Sequence, residues 1–244
     1  MPMPTRMTIL FDNYPGVPGL TSLWGFSALI ETPGRTILFD TGSNGRVLLK
    51  NMAALDLAPE SVDLLFLSHP HWDHIGGVDS FLELNPQATV VVHEGFSKHL
   101  VRDLGTLCGE VIVVGQDPRP LAPGILSTGM FDSEPAEHAL VIDSGGVTVT
   151  ISGCAHPGME QIVERAKAVL RKKVDWAAGG FHLVYADAAG IAGSVRALQD
   201  LGVAWVVPTH CTGDAAKAAF RRAYGACCLE GGVGQKISFI PRQT

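Results

Sequence analysis

Short apolar runs and longer stretches of helical periodicity alternate along the chain. Met7 to Phe11, Leu23 to Glu31 and Arg35 to Asp40 read as strands, the last two joined as a hairpin across Thr32-Pro33-Gly34. A helical pattern from Arg46 to Leu55 follows, then an apolar strand from Asp63 to Leu67. A histidine-rich loop leads into a helix from about Ile75 to Leu84, strand Ala88 to His93, helix Gly95 to Leu104 and strand Glu110 to Val114. Residues 115–135 are rich in Gly, Pro and Asp and read as one long irregular connection, the kind of segment that walls a substrate site.

The second half repeats this style. Strands His138 to Asp143 and Val147 to Ser152 flank a Ser144-Gly145-Gly146 turn, and a helix runs from Pro157 to about Lys172 with Pro at its favoured first position. Strand Asp175 to Ala178, helix Ile191 to Leu201, strand Ala204 to Pro208, helix Gly213 to Tyr224 and a last strand from Lys236 to Ile240 complete the pattern. Each half gives hairpins first and strand–helix alternation second, with no linker-like composition between them. This order predicts an α/β protein in which residues 1–244 form one domain of two similar halves packed face to face.

Composition narrows the classes. Apolar residues make up 46% and charged residues 17%, which is globular, and no apolar run approaches the ~20 residues that cross a bilayer. The leading Met1-Pro2-Met3-Pro4-Thr5-Arg6 lacks the apolar core of an export signal, so the expectation is a cytoplasmic protein without a membrane partner. A net charge of -6 argues against nucleic acid, which needs clustered cations. The densest basic stretch, Arg171-Lys172-Lys173, sits where a helix C-terminus favours cations. Five cysteines with irregular spacing and no CxxC pair exclude a zinc ribbon and argue against a disulfide framework.

Candidate chemistry concentrates in Ser68-His69-Pro70-His71-Trp72-Asp73-His74, three imidazoles and a carboxylate directly after a buried strand. Neutral imidazole and carboxylate are the usual ligands of first-row divalent ions. If Pro70 keeps the backbone extended, His69 and His71 point to one side, and Asp73 and His74 turn back at the mouth of the next helix. Two ligand groups facing each other can hold two cations.

His69-x-His71-x-Asp73-His74 resembles the HxHxDH motif of the metallo-β-lactamase superfamily. Asp40-Thr41-Gly42 is similar to the turn that precedes that motif, and Ser152-Gly153-Cys154-Ala155-His156-Pro157-Gly158 and Pro208-Thr209-His210-Cys211-Thr212-Gly213 resemble its later histidine loops. The forms GCAHPG, GGFHL and PTHCTG resemble a subgroup that includes archaeal-type 7,8-dihydropterin-6-methyl-4-(β-D-ribofuranosyl)aminobenzene-5'-phosphate synthases and many metal-dependent hydrolases. The resemblance covers nearly the whole chain. It implies an αβ/βα four-layer sandwich, two β-sheets flanked by helices. It also implies one metal on His69, His71 and His156 and a second on Asp73, His74 and His210, with zinc the leading ion and iron or manganese as alternatives.

The chain departs from that pattern after strand Asp175 to Ala178. Many relatives carry a bridging Asp there, whereas this sequence reads Gly179-Gly180-Phe181-His182. His182 is the candidate to face the metals instead, as a terminal ligand, an acid/base group or a residue behind the ligands. Without a bridging carboxylate, the second ion is expected to bind more weakly. Asp40 is expected to accept from a ligand His N–H, the plain alternative being a turn Asp capping its own backbone. Asn44 and Thr212 border these loops as candidate substrate contacts or supports, and Cys154 and Cys211 lie next to them as candidate contacts to substrate or metal. A small hydrophobic role for the cysteines and an N-cap role for Thr212 remain open.

The activity these residues suit is hydrolysis of an ester, thioester, amide or phosphoester in a small, anionic substrate. A bound metal would supply hydroxide at neutral pH, with Asp73 orienting the nucleophile and His182 protonating the leaving group. The subgroup resemblance implies an alternative, condensation at a phosphoribosyl centre with loss of pyrophosphate. A metal- or ligand-sensing module is the non-enzymatic reading.

Overall fold

The computed structural model describes residues 5–241. The Met1–Pro4 part of the leading segment discussed above lies outside them. One sheet has seven strands in the order β13-β1-β2-β3-β4-β5-β6: Lys236–Ser238, Arg6–Phe11, Ser27–Glu31, Thr36–Phe39, Leu64–Phe66, Thr89–His93 and Glu110–Val114. The other has six in the order β12-β11-β10-β9-β8-β7: Trp205–Thr209, Trp176–Gly180, Val147–Ser152, Leu140–Ser144, Ile125–Ser127 and Arg119–Ala122. In each sheet the hairpin strands pair antiparallel. The strands that alternate with helices, β3 to β6 and β10 to β12, pair in parallel.

Strand periodicity explains why helices cover both outer faces. On β4, Leu64 and Phe66 enter the core between the sheets, whereas Leu65 and the following Leu67 join a second core. That second core includes α1 (Gly45–Ala54), α3 (Val78–Leu84) and α4 (Lys98–Leu107). On the other sheet, α5 (Met159–Leu170), α6 (Ala188–Asp200) and α7 (Asp214–Tyr224) close a third core around Ile162, Val163, Leu198 and Phe220. A strand apolar on both faces must be covered twice. The result is the four-layer arrangement of helices, sheet, sheet and helices. Phe26, Phe39, Phe66 and Trp176 are fully or almost fully buried in the central layer, each large side chain contributing up to about 3 kcal/mol. Among the described residues no helix is long and apolar enough to cross a membrane.

Among the boundaries that differ from the sequence pattern, four have a local reason. Leu23 to Phe26 is not strand. Gly25 takes φ 139°, and a Cβ there would lie 2.4 Å from the Asp73 carbonyl oxygen. The backbone bends to meet the metal-motif loop, and Phe26 N–H donates to Asp73 O. The expected helix from Ile75 is split into α2 (Trp72–Ile75) and α3, because Gly76 N–H leaves the helical ladder for Gly42 O at 2.9 Å. Helix α5 begins two residues after Pro157, with Gly158 at φ 98°. Residues 115–135 are not one irregular connection, since Arg119–Ala122 and Ile125–Ser127 pair as a hairpin through Gly124 at φ 72°.

Candidate metal centre

All the histidine loops leave the sheets at the same edge, after β4, β10, β11 and β12. The ring centroid of His69 lies 4.8 Å from that of His71, 4.1 Å from that of His74 and 4.6 Å from that of His156. His74 and His210 are 4.9 Å apart, and His156 and His182 are 4.5 Å apart. Donor atoms of His69, His71 and His156 lie within 4.8 Å of one another, as do those of Asp73, His74 and His210. The six residues of the two expected triads are therefore brought together. His182 reaches the same centre beside Cys154 and His156, on a backbone held at φ 49°.

The hydrogen bonds behind the rings fix their tautomers. His74 Nδ1 is 2.7 Å from Asp40 Oδ2, which also accepts the single hydroxyl proton of Ser68 at 2.7 Å. Ser68 Oγ therefore accepts from His69 Nδ1–H at 2.9 Å. His156 Nδ1–H donates to Glu137 Oε2 at 2.7 Å, and His210 Nδ1–H to Asn13 Oδ1 at 2.9 Å. Four buried imidazoles thus have Nδ1 committed as donor and the Nε2 lone pair free. Nε2 of His69 and of His156 is buried with no hydrogen-bond partner. Nε2 of His74 and of His210 face each other at 3.2 Å, with Asp73 Oδ2 3.8 and 3.5 Å away. Orphaned lone pairs are costly unless a cation or proton lies between them. This donor set fits divalent metal.

Electrostatics agree with that fit at two of the rings. Burial and then the neighbouring rings push His69 and His210 well below the ordinary imidazole range, so both rings are neutral, the form that ligates. Burial would also lower His74, but contact with Asp40 outweighs it and raises the ring; burial raises Asp40. In the adjacent thiol pair, burial pushes Cys154 up. In Cys211 burial is outweighed by contacts with Cys154 and His182, which lower it to about 6.

Sequence reasoning missed two residues of this machinery. Glu137, fully buried, accepts from the backbone N–H groups of Gly153, Cys154 and Ala155 through Oε1 and from His156 N–H through Oε2, besides the His156 ring. Burial alone would raise its carboxyl, yet these donors hold it at about 2. Asn13 fixes His210 from a loop nearly two hundred residues away in sequence. Neither stands in a recognisable motif, and only the fold reveals them.

One expected contact is corrected and one is narrowed to its supporting role. Asn44 caps α1 through Val47 N–H at 3.2 Å and faces solvent, so it belongs to the helix and not to the cleft. Thr212 is buried, donating to Thr209 O and accepting from Phe181 N–H, so it braces the His210 loop and does not face substrate space. The wall of the cleft is corrected as well. The centre opens into a cavity of about 350 Å³ edged by Trp24, Trp72, Val184 and Tyr185, with none of residues 115–135 lining it. Trp72 is 64% exposed and Tyr185 91%, high for large rings.

A four-layer sandwich with this histidine and aspartate cluster at its sheet edge defines a class. The chain matches the metallo-beta-lactamase superfamily over residues 25–210, and it belongs to that superfamily. Among individual proteins, it is 29% identical to the 7,8-dihydropterin-6-methyl-4-(beta-D-ribofuranosyl)-aminobenzene-5'-phosphate synthase of Methanocaldococcus jannaschii, over 90% of this chain and 91% of that one. Of solved structures, Tm1679, a metal-dependent hydrolase of the beta-lactamase superfamily, superposes with a TM-score of 0.79 at 24% identity, covering 96% of this chain and 98% of that one. The metallo-beta-lactamase fold protein YhfI from Bacillus subtilis gives 0.69 at 15% identity, covering 97% and 100%.

Proposed function

We infer that the chain is a metal-dependent hydrolase of a small, anionic substrate that carries a planar or apolar part. The observation that carries this reading is the set of four buried imidazoles whose Nδ1–H groups are all tied back and whose Nε2 lone pairs converge. His69, His71 and His156 would hold one divalent ion and Asp73, His74 and His210 the other, zinc being the leading expectation and iron or manganese the alternatives. An ion held there would supply an activated water near neutral pH and polarisation of the scissile centre. Asp73, lining the cleft beside two of the rings, orients the attacking water. His182 stands at the cleft wall and delivers a proton to the leaving group; contact with Cys211 raises its ring above the ordinary range despite burial, favouring the acid form. Among the described residues no Lys or Arg lines the cleft, so the ions and imidazoles would hold a negative group on the substrate.

A second reading is condensation at a phosphoribosyl centre with loss of pyrophosphate. It is supported by the end-to-end similarity to the archaeal synthase and by Trp24, Trp72 and Tyr185, which offer stacking faces for a planar ring. One experiment separates the readings. Metal-reconstituted protein is offered aryl esters, thioesters and phosphodiesters, and separately a phosphoribosyl diphosphate with an aromatic acceptor. Chelator-sensitive hydrolysis is the expected result. Pyrophosphate release only when donor and acceptor are both present would favour condensation, and metal binding without any turnover would leave a sensing module.

A further inference from the structure

Among the described residues Asp73 is the one carboxylate in the donor groups, and one thiol shares groups with rings of both triads. Cys154 Sγ lies within 4.8 Å of donor atoms from His69 and His156 on one side and from His74 and His210 on the other. Its distance to His74 Nε2 is 3.4 Å, and the residue is 4% exposed. The orphaned Nε2 atoms of His69 and His156 belong to the same cluster. The thiol is also held rigidly. Gly153, Cys154, Ala155 and His156 all donate backbone N–H bonds to Glu137, which locks this loop over the centre.

At Gly180, in the stretch where the resemblance expects a carboxylate, there is no room for a side chain. A Cβ on Gly180 would lie 2.4 Å from Gly153 O, 2.6 Å from Cys211 Sγ and 3.2 Å from Cys154 Cα. Backbone and sulfur of the cysteine loops fill the volume that a bridging Asp would need.

We propose that Cys154 is a metal ligand whose thiolate is shared between the two ions, taking the bridging place in the centre. This rests on the reading that the triads hold metal. A thiolate has several sulfur lone pairs and restores the negative charge that a missing carboxylate removes. On binding, the S–H bond breaks, sulfur keeps the electron pair for the metal, and one proton leaves to solvent. A soft sulfur ligand also shifts selectivity toward zinc, ferrous iron or cobalt over magnesium and manganese.

The test is titration of the full-length apoprotein with Co(II), reading the near-ultraviolet thiolate-to-cobalt charge-transfer band, in wild type, Cys154→Ser and Cys211→Ser. The band should grow through both equivalents in wild type, persist in Cys211→Ser and vanish in Cys154→Ser, with the weaker site losing about 10- to 100-fold in affinity. Zinc X-ray absorption on wild type needs no variant and should show a sulfur shell at about 2.3 Å. Metal bound with only nitrogen and oxygen neighbours would overturn the proposal while leaving the metal centre intact. So would a band lost in Cys211→Ser and kept in Cys154→Ser. Saturation of the band at one equivalent would overturn the sharing. Absence of any metal binding would overturn both this proposal and the functional reading beneath it.

Discussion

Glu137→Gln isolates the support behind the first triad. The substitution keeps size and removes charge. In wild type, Oε1 accepts three backbone N–H groups at 3.0–3.1 Å, and Oε2 accepts two donors from His156 at 2.9 and 2.7 Å. The glutamine oxygen can serve the three backbone groups, but its NH2 then faces two N–H groups of His156. Two charge-assisted bonds of about 1.5–3 kcal/mol each are lost, so destabilisation is on the order of 3–6 kcal/mol. For a protein of this size each kcal/mol shifts Tm by roughly 2–4 °C, giving a drop on the order of 10 °C or more in the apoprotein. His156 can relieve the clash by moving its proton to Nε2, which aims an N–H at the metal position. The tighter metal site should then weaken by about 10- to 100-fold. Calorimetry of the apoprotein and competitive zinc titration read the two effects separately. An apoprotein Tm within about 2 °C of wild type, with unchanged zinc affinity, would refute this account of Glu137.

Three further outcomes follow from the same geometry. Asn13→Ala releases the His210 ring and should weaken the second ion by about 10-fold while sparing the first, read by metal titration; equal loss at both sites would contradict it. Gly180→Ala places a methyl against Gly153 O and Cys211 Sγ, so urea unfolding should show a loss of at least about 2 kcal/mol, and a change under about 0.5 kcal/mol would show that the space is free. Burial first, and the nearby His93 ring next, hold His138 at about 3, below its unfolded value of 6.5, so the unfolded chain takes up the proton first as pH falls. Its contribution is complete above about pH 6.5 and is lost toward pH 3, about 2 kcal/mol being gone at pH 5. Glu137, held at about 2 against 4.5, adds to the loss only below about pH 4.5. Urea midpoints of the apoprotein from pH 7.5 to 5 should fall in wild type and fall less steeply in His138→Gln, where the lowered rings of His69, His71, His93 and His210 still contribute; identical slopes would remove His138 as a cause.

The sequence by itself determined what depends on local order. Alternation on β4 and the runs of β5 and β10 name the strands, and the hairpin–helix order names the layers, because side-chain period and connection length are properties of neighbouring residues. His69, His71, Asp73 and His74 could be read as one donor group for the same reason, since they lie on a single short loop. Asp40 could be read as the partner of a ligand ring from the resemblance of its turn, and it meets His74 at 2.7 Å. Tertiary structure alone decided what depends on residues far apart in sequence. It joined Glu137 to the Gly153–His156 loop and Asn13 to His210. It removed Asn44 from the site by making it a helix cap, and it replaced the expected wall from residues 115–135 with Trp24, Trp72 and Tyr185. It also placed Cys154 between the two triads. A buried polar group is decided by which donors reach it once the backbone is packed, and no spacing along the chain encodes that meeting.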